Sequence, residues 1–459
     1  MNQSISDNQA SDKSFLKVIQ NFFSEFNFRE LLRECKFHKT DGFSCFTIIK
    51  SIFLLVFTGK NWYRIFVDSK SKPEFGKDVI YRFLNSVKWQ WEKLLLLLSS
   101  QIIFWITTLT KDTRYKVLIA DDTFYDRSRS KAVELLSWIY DHVDSKSKKG
   151  FSKLTLGWSD GHTFLPIQFR LISSNNHKNI KAKSEYVKEK YPGYIRRIEA
   201  KKKKTELLFD MVQAVIDNSI YYSHLLFDSW FAFPKIITRF KAMGVKVITM
   251  LKKTPKIFYT YRDKPYCLSK IYSLTKKRMD KRTNRYSVIV WINNYNDGIK
   301  TKARILFIRE KKQWLGLLTT DLDLSEEEII KIYGMRWNIE IFFKMCKSHL
   351  KLAKEFQGRS FDMLVAHTSI VYIRYIMLAV LVRKNNDERT FGDLFFYLSD
   401  EVKNITFLEA LQLLLTLLKD FLKDKFLLSE DEVQKLLSDF INSLPPFLSN
   451  YLPGIMCES

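Results

Sequence analysis

Cysteine is scarce and scattered in this sequence. The five thiols, Cys35, Cys45, Cys267, Cys346 and Cys457, form no CxxC pair and no Cys/His group with zinc spacing. Such a set offers no metal-thiolate site and fits buried thiols in a reducing, cytoplasmic compartment. An apolar signal core is also missing, because the opening MNQSISDNQASDKSF is polar. Long hydrophobic runs are few. Leu94–Thr110 carries Ser99, Ser100, Gln101, Thr107 and Thr108, and Met363–Val382 is interrupted by His367 and Arg374. Both are at or below the roughly 20 apolar residues a membrane span needs, so both are expected as buried helices with no membrane partner. There is no internal repeat. Acid is short of base: 50 Asp and Glu face 75 Lys and Arg, a net charge of +25. A Lys-rich genome can raise the count of bases, but it need not leave this excess over acids. The imbalance favours a polyanionic partner, most simply nucleic acid.

What is present falls into three stretches. A chain of 459 residues with 46% hydrophobic content has ample material for two to four domains. Residues 1–12 are expected to be disordered. From Ser14 to Thr110 the pattern is helical, clearest at Phe43–Phe57, Lys77–Val87 and Trp89–Thr110, with a loop at Ser71, Lys72 and Pro73. Short helices with Lys77, Arg82 and Lys88 nearby would suit a DNA-binding module, although any small helical domain reads similarly.

At Lys116 the pattern changes. VLIAD (Val117–Asp121) reads as a buried strand ending in acid. FSKLTLGW (Phe151–Trp158) and TFLPIQFRLI (Thr163–Ile172) read as a hairpin closed by Ser159-Asp160-Gly161-His162. Pro166 places one of these strands at an edge or a bulge. Asn175–Lys204 resembles a basic linker, with eleven bases against three acids. A helix (Thr205–Asp217), a strand ending in acid (HLLFD, His224–Asp228), a helix (Pro234–Ala242) and a strand (VKVITML, Val245–Leu251) follow. This alternation implies parallel pairing in an α/β core. Runs at Arg285–Ile292, Ala303–Arg309 and Gln313–Thr320 read as an antiparallel set, with a turn at Asn296-Asp297-Gly298. Ser325 and Glu328 form a capping box that opens a further helix. Phe361–Leu444 returns to helices, and Pro445-Pro446 begins an irregular tail.

The helix after the capping box holds YGMRWNIEIFFKMCK (Tyr333–Lys347). As one continuous helix it places Tyr333, Arg336, Glu340, Lys344 and Lys347 within a sector of roughly 80°. Ile332, Ile339, Phe343 and Cys346 flank this stripe on one side, and Trp337, Ile341 and Met345 on the other. Glu340 paired with its neighbours on a solvated face is one reading. A metal-ligating carboxylate beside phosphate-binding bases is the other. Partners for the second reading exist. Asp121 and Asp228 end predicted strands, and such ends line one rim of a parallel sheet. Three clustered carboxylates repel unless a divalent cation neutralises them, and their hard oxygens suit Mg²⁺, with Mn²⁺ able to substitute. Two such ions support phosphodiester cleavage.

These residues resemble the DDE transposases of the IS4 insertion-sequence type. Tyr333, Arg336, Glu340 and Lys347 fit that family's Y-(2)-R-(3)-E-(6)-K signature at every spacing. Asp121 and Thr123 fit its D-x-T, and Asp228 in LFDSWF fits its second-Asp region. The likeness runs from about Lys116 to Leu352. It implies an α/β fold with an RNase H-like catalytic core in the order β-β-β-α-β-α-β-α. A β-rich insertion precedes the helix that bears the Glu. The expected layout is a helical, DNA-binding N-terminal region (1–112), the catalytic domain (113–360) with its insertion at about 252–320, and a helical C-terminal region (361–459). The resemblance implies Asp121, Asp228 and Glu340 as catalytic metal ligands. It implies phosphate contacts from Tyr333, Arg336 and Lys347, to which Lys344 is added as a general DNA contact. It implies Mg²⁺-dependent cutting and joining of double-stranded DNA at transposon ends and into a target, by a homodimer. Asp122 adjoins Asp121, and alternation lets only one of them face the metal; D-x-T favours Asp121. Trp291 and Trp314 could stack a flipped base or simply pack in strands, and Trp230 is as readily packing. The competing readings are a non-catalytic DNA-binding protein derived from a transposase, and a nuclease of the same fold acting on RNA or branched DNA.

Overall fold

The computed structural model describes residues 17–385, apart from 60–61, 63–64, 66–72, 111–112, 142–143, 183, 294–297, 299, 311–312 and 357, together with 418, 422 and 429–443. The expectations for residues 1–12, Ser71 and Lys72, Asn296-Asp297, the helices between 386 and 428 and the Pro445-Pro446 tail lie outside these. The chain divides into two compact units, Met1–Asn21 with Phe57–Gly59 and Asp393–Ser459, and Phe22–Val56 with Lys60–Gly392. In the first, a helix at Glu430–Ser443 starts at Ser429, whose hydroxyl accepts from the Glu432 amide at 3.4 Å.

The second unit opens with helices α1 (Phe28–Glu34), α2 (Cys45–Leu55), α3 (Lys77–Leu84) and α4 (Trp91–Thr108). Lys77, Arg82 and Lys88 are all exposed. The sheet follows: β1 (Val117–Asp126), β2 (Ser137–Asp141), β3 (Lys146–Ser159) and β4 (Phe164–Ile172). Then come α5 (Pro192–Glu199), α6 (Lys204–Asp217), β5 (His224–Phe227), α7 (Pro234–Ala242) and β6 (Val247–Met250). A β-rich stretch contains β7 (Phe258–Tyr261), β8 (Lys264–Cys267), α8 (Leu268–Thr275), β9 (Arg285–Asn293), β10 (Lys300–Glu310) and β11 (Gln313–Thr319). Three helices end the unit: α9 (Glu326–Gly334), α10 (Trp337–Ser348) and α11 (Phe361–Asn385).

The strands form one sheet in the order β2-β3-β1-β5-β6-β11-β10-β9-β7-β8, with β4 also on β3. β1, β5 and β6 are parallel, and β3 and β4 are antiparallel to their neighbours. With the connecting helices α6 and α7 this is the expected RNase H-like α/β core with flanking helices. The Asp160 carboxylate closes the β3–β4 turn by accepting from the amides of His162 at 3.0 Å and Thr163 at 2.8 Å, and Gly161 takes φ 92° there. Pro166 pairs with Gly157 at a bulge, where the register shifts between Leu156 and Gly157, and among the described residues its strand pairs only with β3. Its carbonyl accepts from Ser99 of α4 at 2.8 Å.

The β-rich stretch joins the core sheet directly, because β11 pairs with β6. Three expectations need correction. The first strand does not end at Asp121: β1 runs on to Asp126, held by its antiparallel pairing with β3. The Asn175–Lys204 segment is not a linker throughout. Its Pro192 opens a helix, and Arg196 and Arg197 are buried in ion pairs with Glu92, Glu134 and Asp362. Lastly, the Tyr333–Lys347 helix is not continuous. Met335 and Arg336 keep helical dihedrals, but the amides of Met335, Arg336, Asn338 and Ile339 bond back three residues rather than four. This tightened turn separates α9 from α10.

α11 is long and apolar enough to cross a membrane, but 89% of its apolar window is buried inside the protein. Its Arg374 is fully buried, pairs with Glu355 at 2.7 Å and donates to the Phe53 carbonyl at 3.0 Å. α10 packs between this helix and the sheet. Its Phe342 ring lies 5.1 Å from Phe164 and 4.8 Å from Tyr372. Truncating such an aromatic costs about 3–5 kcal/mol, so the helix is held firmly in place.

Candidate active site at the carboxyl ends of the parallel strands

Backbone register creates the site. Ala120 of β1 pairs with Phe227 of β5 in parallel, so the next residues of the two strands, Asp121 and Asp228, follow side by side where that pairing stops: β5 ends there, while β1 runs on to Asp126 along β3. Asp228 leaves the strand there, and its carboxylate accepts from the Trp230 amide at 2.9 Å, which fixes the turn. Glu340 arrives from α10. The link between sheet and helix is Arg336: its Nη1 lies 3.1 Å from Asp121 Oδ2 and 3.2 Å from Glu340 Oε1.

The electrostatics follow from burial. Asp121 is raised to about 7, first because it is desolvated and then because Asp228 repels its charge, with Arg336 opposing both. Asp228 is also raised, by burial first, against the Trp230 amide bond and the positive Arg336 and Lys252. Burial pulls the Arg336 guanidinium down, but Tyr333, Asp121 and Glu340 more than offset it, so it stays charged. Tyr333 is held near these groups and pushed up to about 12, chiefly by burial. The rim therefore carries more buried acid than one guanidinium compensates.

Asp121 and Asp122 part company as strand alternation requires. Asp122 accepts from Ser152 at 2.7 Å and Lys204 at 2.6 Å. Lys204 also lies 4.7 Å from the Trp230 ring, which ties the first two acidic regions together. Nothing in the residue pattern marks Lys204 for this role, since it ends a run of four lysines in the apparent linker. Lys347 donates to Thr123 at 2.5 Å, two residues beyond Asp121. Lys344 is exposed on α10. The expected second apolar wall of the stripe is only partly buried: Met345 is inside, but Trp337 is 61% and Ile341 44% exposed. In the β-rich stretch, Trp314 stacks on Tyr272 at 4.3 Å and is packing, whereas Trp291 is 43% exposed.

The structure thus brings Asp121, Asp228, Glu340, Arg336 and Tyr333 together and sets Lys347 beside them. The three carboxylates do not converge on one point. Among the described residues no three His, Cys, Asp or Glu side chains are placed to hold a single ion, because Arg336 lies between Asp121 and Glu340. In donor chemistry the set still fits a hard divalent cation, with carboxylate oxygens only and an excess of buried negative charge.

Residues 54–267 match a family model described as DDE superfamily endonuclease, and residues 194–377 match one described as Transposase DDE domain. The first span includes Asp121 and Asp228; the second includes Asp228, Tyr333, Arg336, Glu340, Lys344 and Lys347. The two matches support a DDE transposase, an enzyme class that acts on DNA and generally uses divalent metal ions. A search of curated proteins gave no match.

Proposed function

We propose that this chain is the transposase of an IS4-type insertion sequence. It would cut DNA at the element's ends and join them to a target, working as a cytoplasmic homodimer on paired ends. The observation that carries this reading is the register that sets Asp121 beside Asp228, with Glu340 tethered to Asp121 through Arg336. Asp121, Asp228 and Glu340 are the residues that would hold Mg²⁺ or Mn²⁺. When bound, such ions activate a water or a 3′-hydroxyl and stabilise the leaving oxygen.

The chain's own groups supply the rest. Arg336 holds the sheet acid and the helix acid at one rim and screens their repulsion. Its fork geometry suits a phosphate once it releases the carboxylates. Tyr333 and Lys347 flank the same rim and would fix the DNA backbone, with Lys344 a more general contact on the exposed face. The helices of residues 28–108, which expose Lys77, Arg82 and Lys88, would add DNA-binding surface.

A second reading, a DNA-binding protein without catalysis, is favoured by the Arg336 guanidinium standing between Asp121 and Glu340. Incubation with Mg²⁺ and DNA bearing the inverted repeats that flank the gene separates the two. Cleavage at the repeats supports the transposase; salt-dependent binding without any nicking supports the binder.

A further inference from the structure

A recessed cleft of about 1060 Å³ begins where Thr123 and Lys347 meet and runs away from the acidic rim. One wall is the end of β1 and the loop after it; the other is the loop that follows α10. The buried side chains of Val133, Leu352 and Phe356 line it more deeply. Both walls are therefore direct continuations of the elements that carry Asp121 and Glu340.

Its charge is strongly biased. Seven Lys and Arg side chains line it against three Asp. The acids are occupied: Lys148 pairs with Asp141 at 2.9 Å and also with Asp144, and Asp126 accepts from the Ser128 amide at 2.8 Å. Arg127 joins the walls, donating to the Ala353 carbonyl at 3.0 Å. Ala353 and nearby Lys351 hold left-handed backbone, with φ 62° and 53°, a cost that packing must maintain. Arg129, Lys131, Lys354 and Arg359 remain exposed with no carboxylate partner among the described residues. Four unpaired cations along a recess suit a string of phosphates.

We propose that this cleft takes one polynucleotide strand, the single strand that continues beyond the phosphate at the Asp121–Asp228 rim. A recessed positive groove that tracks a phosphate backbone is the form in which proteins hold unpaired strands. The inference rests on the transposase reading and adds to it a path for the strand. Exposed residues carry it, so their substitution should leave the fold intact, which the melting temperature checks.

The test measures binding in EDTA by full-length protein, with no cleavage involved. The probes are a blunt duplex and the same duplex carrying a single-stranded oligothymidine arm. The arm should tighten binding by wild type roughly tenfold, and the Arg129→Ser/Arg359→Ser pair should erase that gain while leaving the blunt duplex unchanged. The slope of the salt dependence on the armed probe should also fall by about 0.7 for each phosphate that is no longer neutralised. Lys354→Glu should act in the same direction. An arm that adds nothing for wild type, or variants that weaken both probes equally, would overturn the cleft. A wild-type protein that binds neither probe would instead overturn the functional reading beneath it.

Discussion

Arg336 Nη1 stands 3.1 Å from Asp121 and 3.2 Å from Glu340, so a single guanidinium joins the first strand of the sheet to the helix after the β-rich stretch. The two acids are far apart in sequence, and this pair of interactions is what makes them one site. Removing a partner from a largely buried ion pair leaves charge uncompensated, at a cost of about 3–5 kcal/mol when burial is complete and less here. Arg336→Ala should therefore melt lower than wild type in EDTA. If divalent cations bind between these acids, Mn²⁺ should raise its melting temperature more than it raises that of wild type. Equal Mn²⁺ shifts would show that the guanidinium does not compete with the metal.

The two adjacent acids should behave differently. Asp122 is spent on Ser152 and Lys204, on the opposite face from Arg336. Asp122→Asn should keep Mg²⁺-dependent cleavage within about tenfold of wild type, whereas Asp121→Asn should lose it by more than about a thousandfold, which is ~4 kcal/mol or more in barrier. Rate measurements on one labelled substrate decide the matter, and the reverse order would move the metal ligand to Asp122.

Sequence pattern carried a large part of this structure. The strand that stops just before Asp228, the Asp160-Gly161 turn, the bulge at Pro166 and the Ser325–Glu328 box are set by local chemistry, and they stand close to where it placed them; the strand through Asp121 starts where expected but runs on to Asp126, because β3 pairs with it along that whole length. What failed depends on distant partners. Arg196 and Arg197 look like part of a solvated basic run until Glu134 and Asp362 close on them. Lys204 looks the same until Asp122 does. β2 and the β7–β8 hairpin are short and lack a clear apolar alternation, so their pairing is visible only in three dimensions. The break at Met335 and Arg336 leaves no mark in residue type, because both residues keep helical dihedrals.

Lys153 offers a pH test away from the acids. It is fully buried on β3, its ammonium lies 5.2 Å from the Phe343 ring and 5.0 Å from Tyr372, and burial lowers it to about 7. A base whose folded pKa is depressed binds its proton more readily when unfolded. Stability then rises with pH from about 7 towards the usual lysine range. Lys153→Met should be more stable than wild type, by a margin that is largest below pH 7. Between pH 7 and 9 the margin should narrow by about 2–3 kcal/mol in urea unfolding. A margin constant with pH would mean that Lys153 keeps its proton in the folded state.

The Arg196–Asp362–Arg197–Glu134 network is a structural element, with Asp362 completely buried between two guanidinium groups. Asp362→Ala removes the carboxylate that both guanidinium groups share, leaving Arg196 with Glu92 and Arg197 with Glu134, and should lower stability by up to about 3–5 kcal/mol, read from denaturant midpoints. It should leave DNA affinity of the folded protein largely unchanged, since neither arginine faces solvent. A selective loss of DNA binding without loss of stability would return these arginines to the interface.

The most direct test of the central claim compares wild type with Asp121→Asn, Asp228→Asn and Glu340→Gln in cutting DNA that carries the flanking inverted repeats, with Mg²⁺ present. Binding to the same DNA is measured alongside. The predicted result is cleavage by wild type and none by any of the three variants, with end binding kept. Full cleavage by Glu340→Gln would contradict the assignment of the site.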